Sequence, residues 1–203
     1  YFMLRGLPFI YQGQEIGMEN LHFQSIDQVD DISTIDEYHV AKNAGLNEKE
    51  ALSCISRYSR DNARTPVQWN DSANAGFTSG NPWLPLNPNY KEINVASQEN
   101  DPDSLLSFYK ELIALRKKHI DFAPESEFEV LYGGEDGHGY PLIYRRGNLI
   151  CGLNPSMQEQ RVLILTGSLI YQIGGAAKVG DELCLPPQSF AVFQKKCETE
   201  RNG

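Results

Sequence analysis

Asp101-Pro102-Asp103-Ser104-Leu105-Leu106-Ser107-Phe108-Tyr109-Lys110-Glu111-Leu112-Ile113-Ala114-Leu115-Arg116-Lys117-Lys118-His119 is the stretch on which the reading of the fold turns. Leu105, Leu106, Tyr109, Leu112, Ile113 and Leu115 recur at three- and four-residue steps, so one face of a helix is apolar. Pro102 suits a first turn, and Lys117, Lys118 and His119 lie where the helix macrodipole favours cations. The spacing predicts a helix over Asp101–His119. From about Asp121 the period changes. Phe128–Tyr132, Pro141–Arg145, Asn148–Leu153, Arg161–Leu165, Leu169–Ile173, Glu182–Leu185 and Phe190–Gln194 are short runs rich in β-branched and aromatic residues, separated by turn signals. They predict short strands in an antiparallel sheet or sandwich. Arg145-Arg146-Gly147-Asn148 predicts a tight hairpin turn, and a domain boundary is expected near Asp121. The charged tail from Lys195 to Gly203 is expected to fray.

On the other side of the helix the chain is mostly polar. Leu7-Pro8-Phe9-Ile10-Tyr11, framed by Gly6 and Gly13, reads as one buried strand. The stretch from Glu19 to about Asn100 is too long for one structureless loop, so short helices are expected in it. Thr34–Asn43 is one candidate. Asn47–Arg57 is a better one, with Asn47 as cap, Glu48 and Glu50 in the first turn, and Ala51, Leu52 and Ile55 on one face. Thr78–Asn89 carries Gly80, Pro82, Pro85 and Pro88 and is expected to be irregular.

Composition narrows the function. The chain has 203 residues, which suits one or two domains. Hydrophobic residues are 40%, and 17 glycines lift the apolar share to about 48%, a normal globular value. Eighteen basic residues against 27 acidic ones give a net charge of −9. No Lys/Arg cluster supplies the basic face that a nucleic-acid backbone requires, so no nucleic-acid partner is expected. Apolar runs such as Leu149–Leu153 and Val162–Leu165 fall far short of the roughly 20 residues of a membrane span. Cys54, Cys151, Cys184 and Cys197 form no CxxC pair, and His22, His39, His119 and His138 show no ligand spacing, so neither metal nor cofactor is expected. The chain opens on Tyr1 rather than Met, which reads as a cut inside a larger protein.

Three segments carry chemistry. Gly6-Leu7-Pro8-Phe9-Ile10-Tyr11-Gln12-Gly13-Gln14-Glu15-Ile16-Gly17-Met18 ends an apolar run in a glycine-framed loop. Glu15 there reads first as a structural carboxylate bonded to loop backbone, and second as a group at the end of a barrel strand, where catalytic residues lie. Ser59-Arg60-Asp61-Asn62-Ala63-Arg64-Thr65-Pro66-Val67-Gln68-Trp69 sets two arginines four apart around an aspartate. This is a surface ion-pair cluster, or a fork of fixed donors suited to vicinal hydroxyls, with Trp69 as an apolar plate. Phe77-Thr78-Ser79-Gly80-Asn81-Pro82-Trp83-Leu84-Pro85-Leu86-Asn87-Pro88-Asn89-Tyr90 is a stiff extended cover.

Together these blocks resemble the C-terminal part of an α-glucosidase of glycoside hydrolase family 13, the α-amylase family. The similar branch is that of oligo-1,6-glucosidases, dextran glucosidases and trehalose-6-phosphate hydrolases. The likeness runs from Tyr1 to about Leu165. It implies an α+β chain: the last strand (Leu7–Tyr11), substrate loop (Asn20–Asn100) and last helix (Asp101–His119) of a (β/α)8 TIM barrel, then an antiparallel β-sandwich. The implied domains are 1–120 and 121–203.

The resemblance also implies a retaining, exo-acting hydrolysis of terminal α-glucosidic bonds. Such chemistry uses two carboxyl groups about 5–5.5 Å apart. In the family these groups, and a third carboxylate, stand on earlier strands, and none of the 27 acidic residues here occupies their motif context. No catalytic residue is therefore assigned, Glu15 and Asp61 included. What carries over is substrate binding: one arginine of the Arg-Asp-Asn-x-Arg-Thr-Pro block reaches the terminal glucose, with Arg64 favoured and Arg60 the alternative. Ser33 stands where relatives carry a glutamate near the next sugar, and Val67 where they carry methionine. An isolated chain of this kind is expected to be inactive, cytoplasmic and prone to self-association through unpaired edges and its apolar helix stripe. The alternative is a non-catalytic carbohydrate-binding or assembly module that displays Tyr132, Tyr140, Tyr144 and Tyr171.

Overall fold

The computed structural model describes residues 1–133, 139–164 and 167–195. His138, Leu165, Cys197 and the tail from residue 196 lie outside the described residues. The chain forms two compact units, one of Phe9–Leu112 and one of Tyr1–Pro8 with Ile113–Gly203. The division falls inside the long helix, ahead of the expected boundary at Asp121.

In the first unit, helix α1 (Ile32–Asn43) starts two residues before the expected Thr34, because Asp31 caps it through the Thr34 amide. Helix α2 (Glu48–Ser56) carries a full capping box: Asn47 Oδ1 accepts from Glu50 N at 3.0 Å and Glu50 Oε2 from Asn47 N at 3.0 Å. Tyr38 from α1 and Ala51, Leu52 and Ile55 from α2 bury against Leu21, Phe23 and Val29. Each large side chain so buried stabilises by about 1.5–3 kcal/mol.

Elsewhere in this unit side-chain amides satisfy the backbone. Gln68 is fully buried and donates Nε2 to Asn89 Oδ1 at 3.2 Å and to the Ile93 carbonyl at 2.5 Å. Asn87 Nδ2 reaches the Asn20 carbonyl at 3.1 Å, which pins the proline-rich segment. Asn94 caps the short helix α3 (Val95–Gln98), and Gln98 Nε2 reaches the Ile16 carbonyl at 2.8 Å. Buried backbone groups require such partners when no ladder supplies them.

The expected strand at Leu7–Tyr11 is not formed. Leu7 is 70% and Phe9 86% exposed, and no strand pairs with the run among the described residues. An apolar run becomes a strand only where a neighbour completes its hydrogen bonds.

Helix α4 (Leu105–Lys118) begins at Leu105 rather than Asp101. Ser104 acts as its cap, with Oγ accepting from Ser107 N at 3.2 Å and its carbonyl from Phe108 N at 3.0 Å. Of the expected stripe, Tyr109 and Leu112 are buried and Leu105 is exposed.

Among its described residues the second unit holds eight strands: β1 (Phe128–Tyr132), β2 (Leu142–Arg146), β3 (Leu149–Asn154), β4 (Gln160–Leu163), β5 (Leu169–Ile173), β6 (Ala177–Val179), β7 (Glu182–Leu185) and β8 (Ser189–Gln194). They make a five-stranded sheet, β1-β2-β3-β8-β5, and a three-stranded sheet, β4-β7-β6. Every pairing is antiparallel. Strand β6 was not among those expected, since Ala-Lys-Val is too short to show a period. The expected hairpin turn joins β2 to β3, with Arg146 opposite Leu149 and Gly147 at φ 51.

Ile143, Ile150 and Phe193 of the larger sheet form one core with Val162, Leu183 and Leu185 of the smaller. Gly152 permits their approach, because a Cβ there would stand 2.7 Å from Leu183 Cδ2. Arg116 and the fully buried Arg146 hold the first residues of the chain. Arg116 Nη1 donates to the Phe2 and Leu4 carbonyls, and Arg146 Nη1 donates to the Met3 carbonyl at 3.1 Å. Tyr144 is buried, and Tyr132, Tyr140 and Tyr171 are half-buried, so these four do not form an exposed row.

Candidate functional site

The segment with the two arginines folds as a single 3-10 turn, Arg60–Arg64. Ser59 starts it by accepting from the Asp61 amide at 3.2 Å, and Thr65 closes it with Oγ1 on the Asn62 carbonyl at 3.2 Å. Asp61 is the hub. It is fully buried, and its Oδ2 accepts from the amides of Asp30 at 2.8 Å and Asp31 at 2.9 Å. Its Oδ1 pairs with Arg64 Nη1 at 3.0 Å. The aspartate between the arginines therefore joins the turn to the start of α1.

Asp31 repeats the pattern from the other side. Its Oδ2 accepts from Thr34 Oγ1 at 2.7 Å and Thr34 N at 3.2 Å. Its Oδ1 lies 2.8 Å from Arg60 Nη2 and 3.8 Å from Arg64 Nη1. The Thr34 hydroxyl, and then Arg60, hold the Asp31 carboxyl below the usual carboxylate range, and burial opposes them. Arg60 Nη2 also donates to Ser33 Oγ at 2.9 Å. The two acids are inside and the two guanidiniums outside, with the Arg60 side chain 63% and the Arg64 side chain 39% exposed.

This arrangement leaves fixed guanidinium N–H donors at the surface, a geometry suited to hydroxyl oxygens. Buried carboxylates keep the guanidiniums in place before any ligand arrives, which lowers the ordering cost of binding. The structure thus brings Arg60 and Arg64 together around one carboxylate. The sequence did not reveal that Asp31 and Thr34 join the arginines, although Asp31 followed by Thr34 is a readable cap signal.

Glu15 does not take the backbone bond first expected of it. Its Oε2 is buried and has no hydrogen-bond partner among the described residues, while Gln14 Oε1 accepts from the Tyr11 amide at 3.2 Å. Among the described residues no group of three or more His, Cys, Asp or Glu could hold a metal ion.

Residues 1–124 match the catalytic domain of α-amylase. The chain belongs to the α-amylase family. Within that family it is 52% identical over 144 residues to the oligo-1,6-glucosidase of Parageobacillus thermoglucosidasius, covering 70% of this chain and 25% of that protein. It is 44% identical over 195 residues to the glucan 1,6-α-glucosidase of Streptococcus pneumoniae, covering 94% of this chain and 36% of the relative. Among solved structures, the trehalose-6-phosphate hydrolase of Bacillus licheniformis superposes with a TM-score of 0.78 at 33% identity, over 96% of this chain and 37% of that one. The chain therefore spans roughly a quarter to a third of the curated relatives' length. Its mixed helices and antiparallel sheets match a part of the fold of these TIM-barrel enzymes.

Proposed function

We propose that this chain supplies the sugar-gripping wall of a retaining, exo-acting α-glucosidase that hydrolyses terminal α-glucosidic bonds of short oligosaccharides. The observation that carries this reading is Arg64, held at 3.0 Å by a fully buried Asp61 yet open to solvent on its outer edge. In this reading residues 1–120 are the closing piece of the catalytic barrel and residues 121–203 a β-sandwich cap. Arg64 binds the terminal glucose, and Arg60 assists. The protein works in the cytoplasm, a placement compatible with the finding that no helix among the described residues is long and apolar enough to cross a membrane.

The catalytic carboxylates of the family belong to other motifs than those present here, so this chain alone does not turn over substrate. Its apolar surface at Leu7 and Phe9 favours self-association. The test is an assay of the purified chain with a chromogenic α-glucoside. No turnover is expected, and release of the chromophore by the chain alone would refute the reading.

A further inference from the structure

Residues Tyr1–Pro8 belong to the same compact unit as Ile113–Gly203. Among the described residues they pair with no strand, so their carbonyls need other donors. Two arginines supply them. Arg116 Nη1 donates to the Phe2 carbonyl and, at 3.1 Å, to the Leu4 carbonyl, and Arg116 Nη2 donates to the Gly6 carbonyl. Arg146 Nη1 donates to the Met3 carbonyl at 3.1 Å, and its Nη2 to the Ala123 carbonyl at 2.6 Å. Phe2 and Met3 are themselves buried.

The position of Arg146 is costly. Strand residues alternate between faces, so Arg146 shares a face of β2 with the buried Tyr144, while Ile143 lies on the other. Arg146 is fully buried where an apolar side chain is the rule. Burial, and then the Arg116 charge, hold its guanidinium below the usual arginine range. Among the described residues no carboxylate pairs with Arg116 or Arg146. Burial pushes the neighbouring Tyr144 phenol up, and the Cys151 thiol up to about 12, so neither supplies a negative charge at neutral pH. This chain alone closes over Arg146, so backbone carbonyls are what offsets its charge. A buried cation is a poor source of stability compared with an apolar residue, and what it gives here is a set of directed bonds to the main chain.

We propose that Arg116 and Arg146 are positioning residues: together they clamp the main-chain carbonyls of residues 2–6 and so fix where the chain enters Leu7–Tyr11. The use of this clamp in a whole enzyme rests on the reading of Leu7–Tyr11 as a closing barrel strand, but the clamp itself acts within one unit. It grips carbonyls, so the exposed Leu4 side chain is immaterial to it.

The test is brief tryptic digestion of the folded chain, with release of residues 1–5 followed by mass spectrometry. Arg5 is exposed, but a protease must draw the flanking backbone into its own cleft, and Arg116 holds the carbonyls on both sides. Arg116→Met and Arg146→Met should each speed this release at least about tenfold, as loss of a charge-assisted hydrogen bond does. Arg116→Lys should fall between, because an ammonium lacks the planar fork. Leu4→Ser should change nothing. Amide exchange in β3 and β8 is followed in the same samples, and faster release with those strands still protected is the expected result. Equal release from all the proteins would overturn the clamp, as would Leu4→Ser releasing as fast as Arg116→Met. Release that rises only together with exchange in β3 and β8 would overturn it too, since the arginines would then serve the sheet and not the entering chain. None of these readouts involves turnover, so the clamp and the proposed function fail separately.

Discussion

The two units of this chain are built on different principles. The β unit is held by ladders and by an apolar core in which Ile143, Leu183, Leu185 and Ala191 are fully buried. The unit with the arginine turn has a small apolar core under α1 and α2, and for the rest relies on single polar side chains. Asp61, Gln68, Asn87 and Asn94 are all buried, and each bonds to the backbone or caps a helix. Ladders repeat, so the loss of one bond is shared. A buried carboxylate that joins a turn to a helix start has no such redundancy. The difference teaches that the arginine site is rigid because a few unique residues are in place.

That contrast can be broken first at Asp61. Asp61→Ala leaves two buried amides without their acceptor and Arg64 Nη1 with only the longer 3.8 Å pairing to Asp31, and should cost about 3 kcal/mol. Urea unfolding followed by tryptophan fluorescence reads this directly, since both tryptophans, Trp69 and Trp83, lie in the same unit. An unchanged midpoint would show that the polar scaffold is dispensable. In the β unit, Gly152→Val drives a side chain into Leu183 and should cost about 2 kcal/mol, seen as faster amide exchange in β2, β3 and β8. Normal protection there would mean that the sheets have room to part.

Asn47→Ala removes one half of a capping box and should cost about 1 kcal/mol in the same fluorescence experiment. The smallest effect concerns acid. The folded protein holds the Asp31 carboxyl below its ordinary value, so it favours the ionised form. Its contribution is complete above about pH 4 and fades as pH falls through the lowered folded value. Asp31→Asn should therefore flatten the acid limb of a stability profile taken from pH 7 to pH 2. An identical limb would deny Asp31 its share.

The sequence was most legible where a period repeats or a cap is local. Asn47 and Glu50 announced α2, and short runs rich in β-branched and aromatic residues, set off by turn signals, announced the strands of the larger sheet. Leu7–Tyr11 misled because apolar content does not provide a neighbouring strand. The start of α4 was set by Ser104, a detail that the stripe of leucines could not show. At the site, Arg60 and Arg64 were visible as a pair of forks. Asp31 and Ser33 were brought beside them only by folding across about 30 residues of polar chain, which has no periodic signal. The β-strand tyrosines showed the reverse, since a residue type common on sugar-binding faces is here drawn into the sheets.

The account stands most directly on Arg64. Isomaltose binding should be measured by calorimetry for the unaltered chain, for Arg64→Ala and for Arg64→Lys. Removal of the fork should weaken binding by at least roughly tenfold, about 1.4 kcal/mol, with lysine restoring only a part because it cannot donate from a plane. Equal affinity in all three proteins would contradict the account.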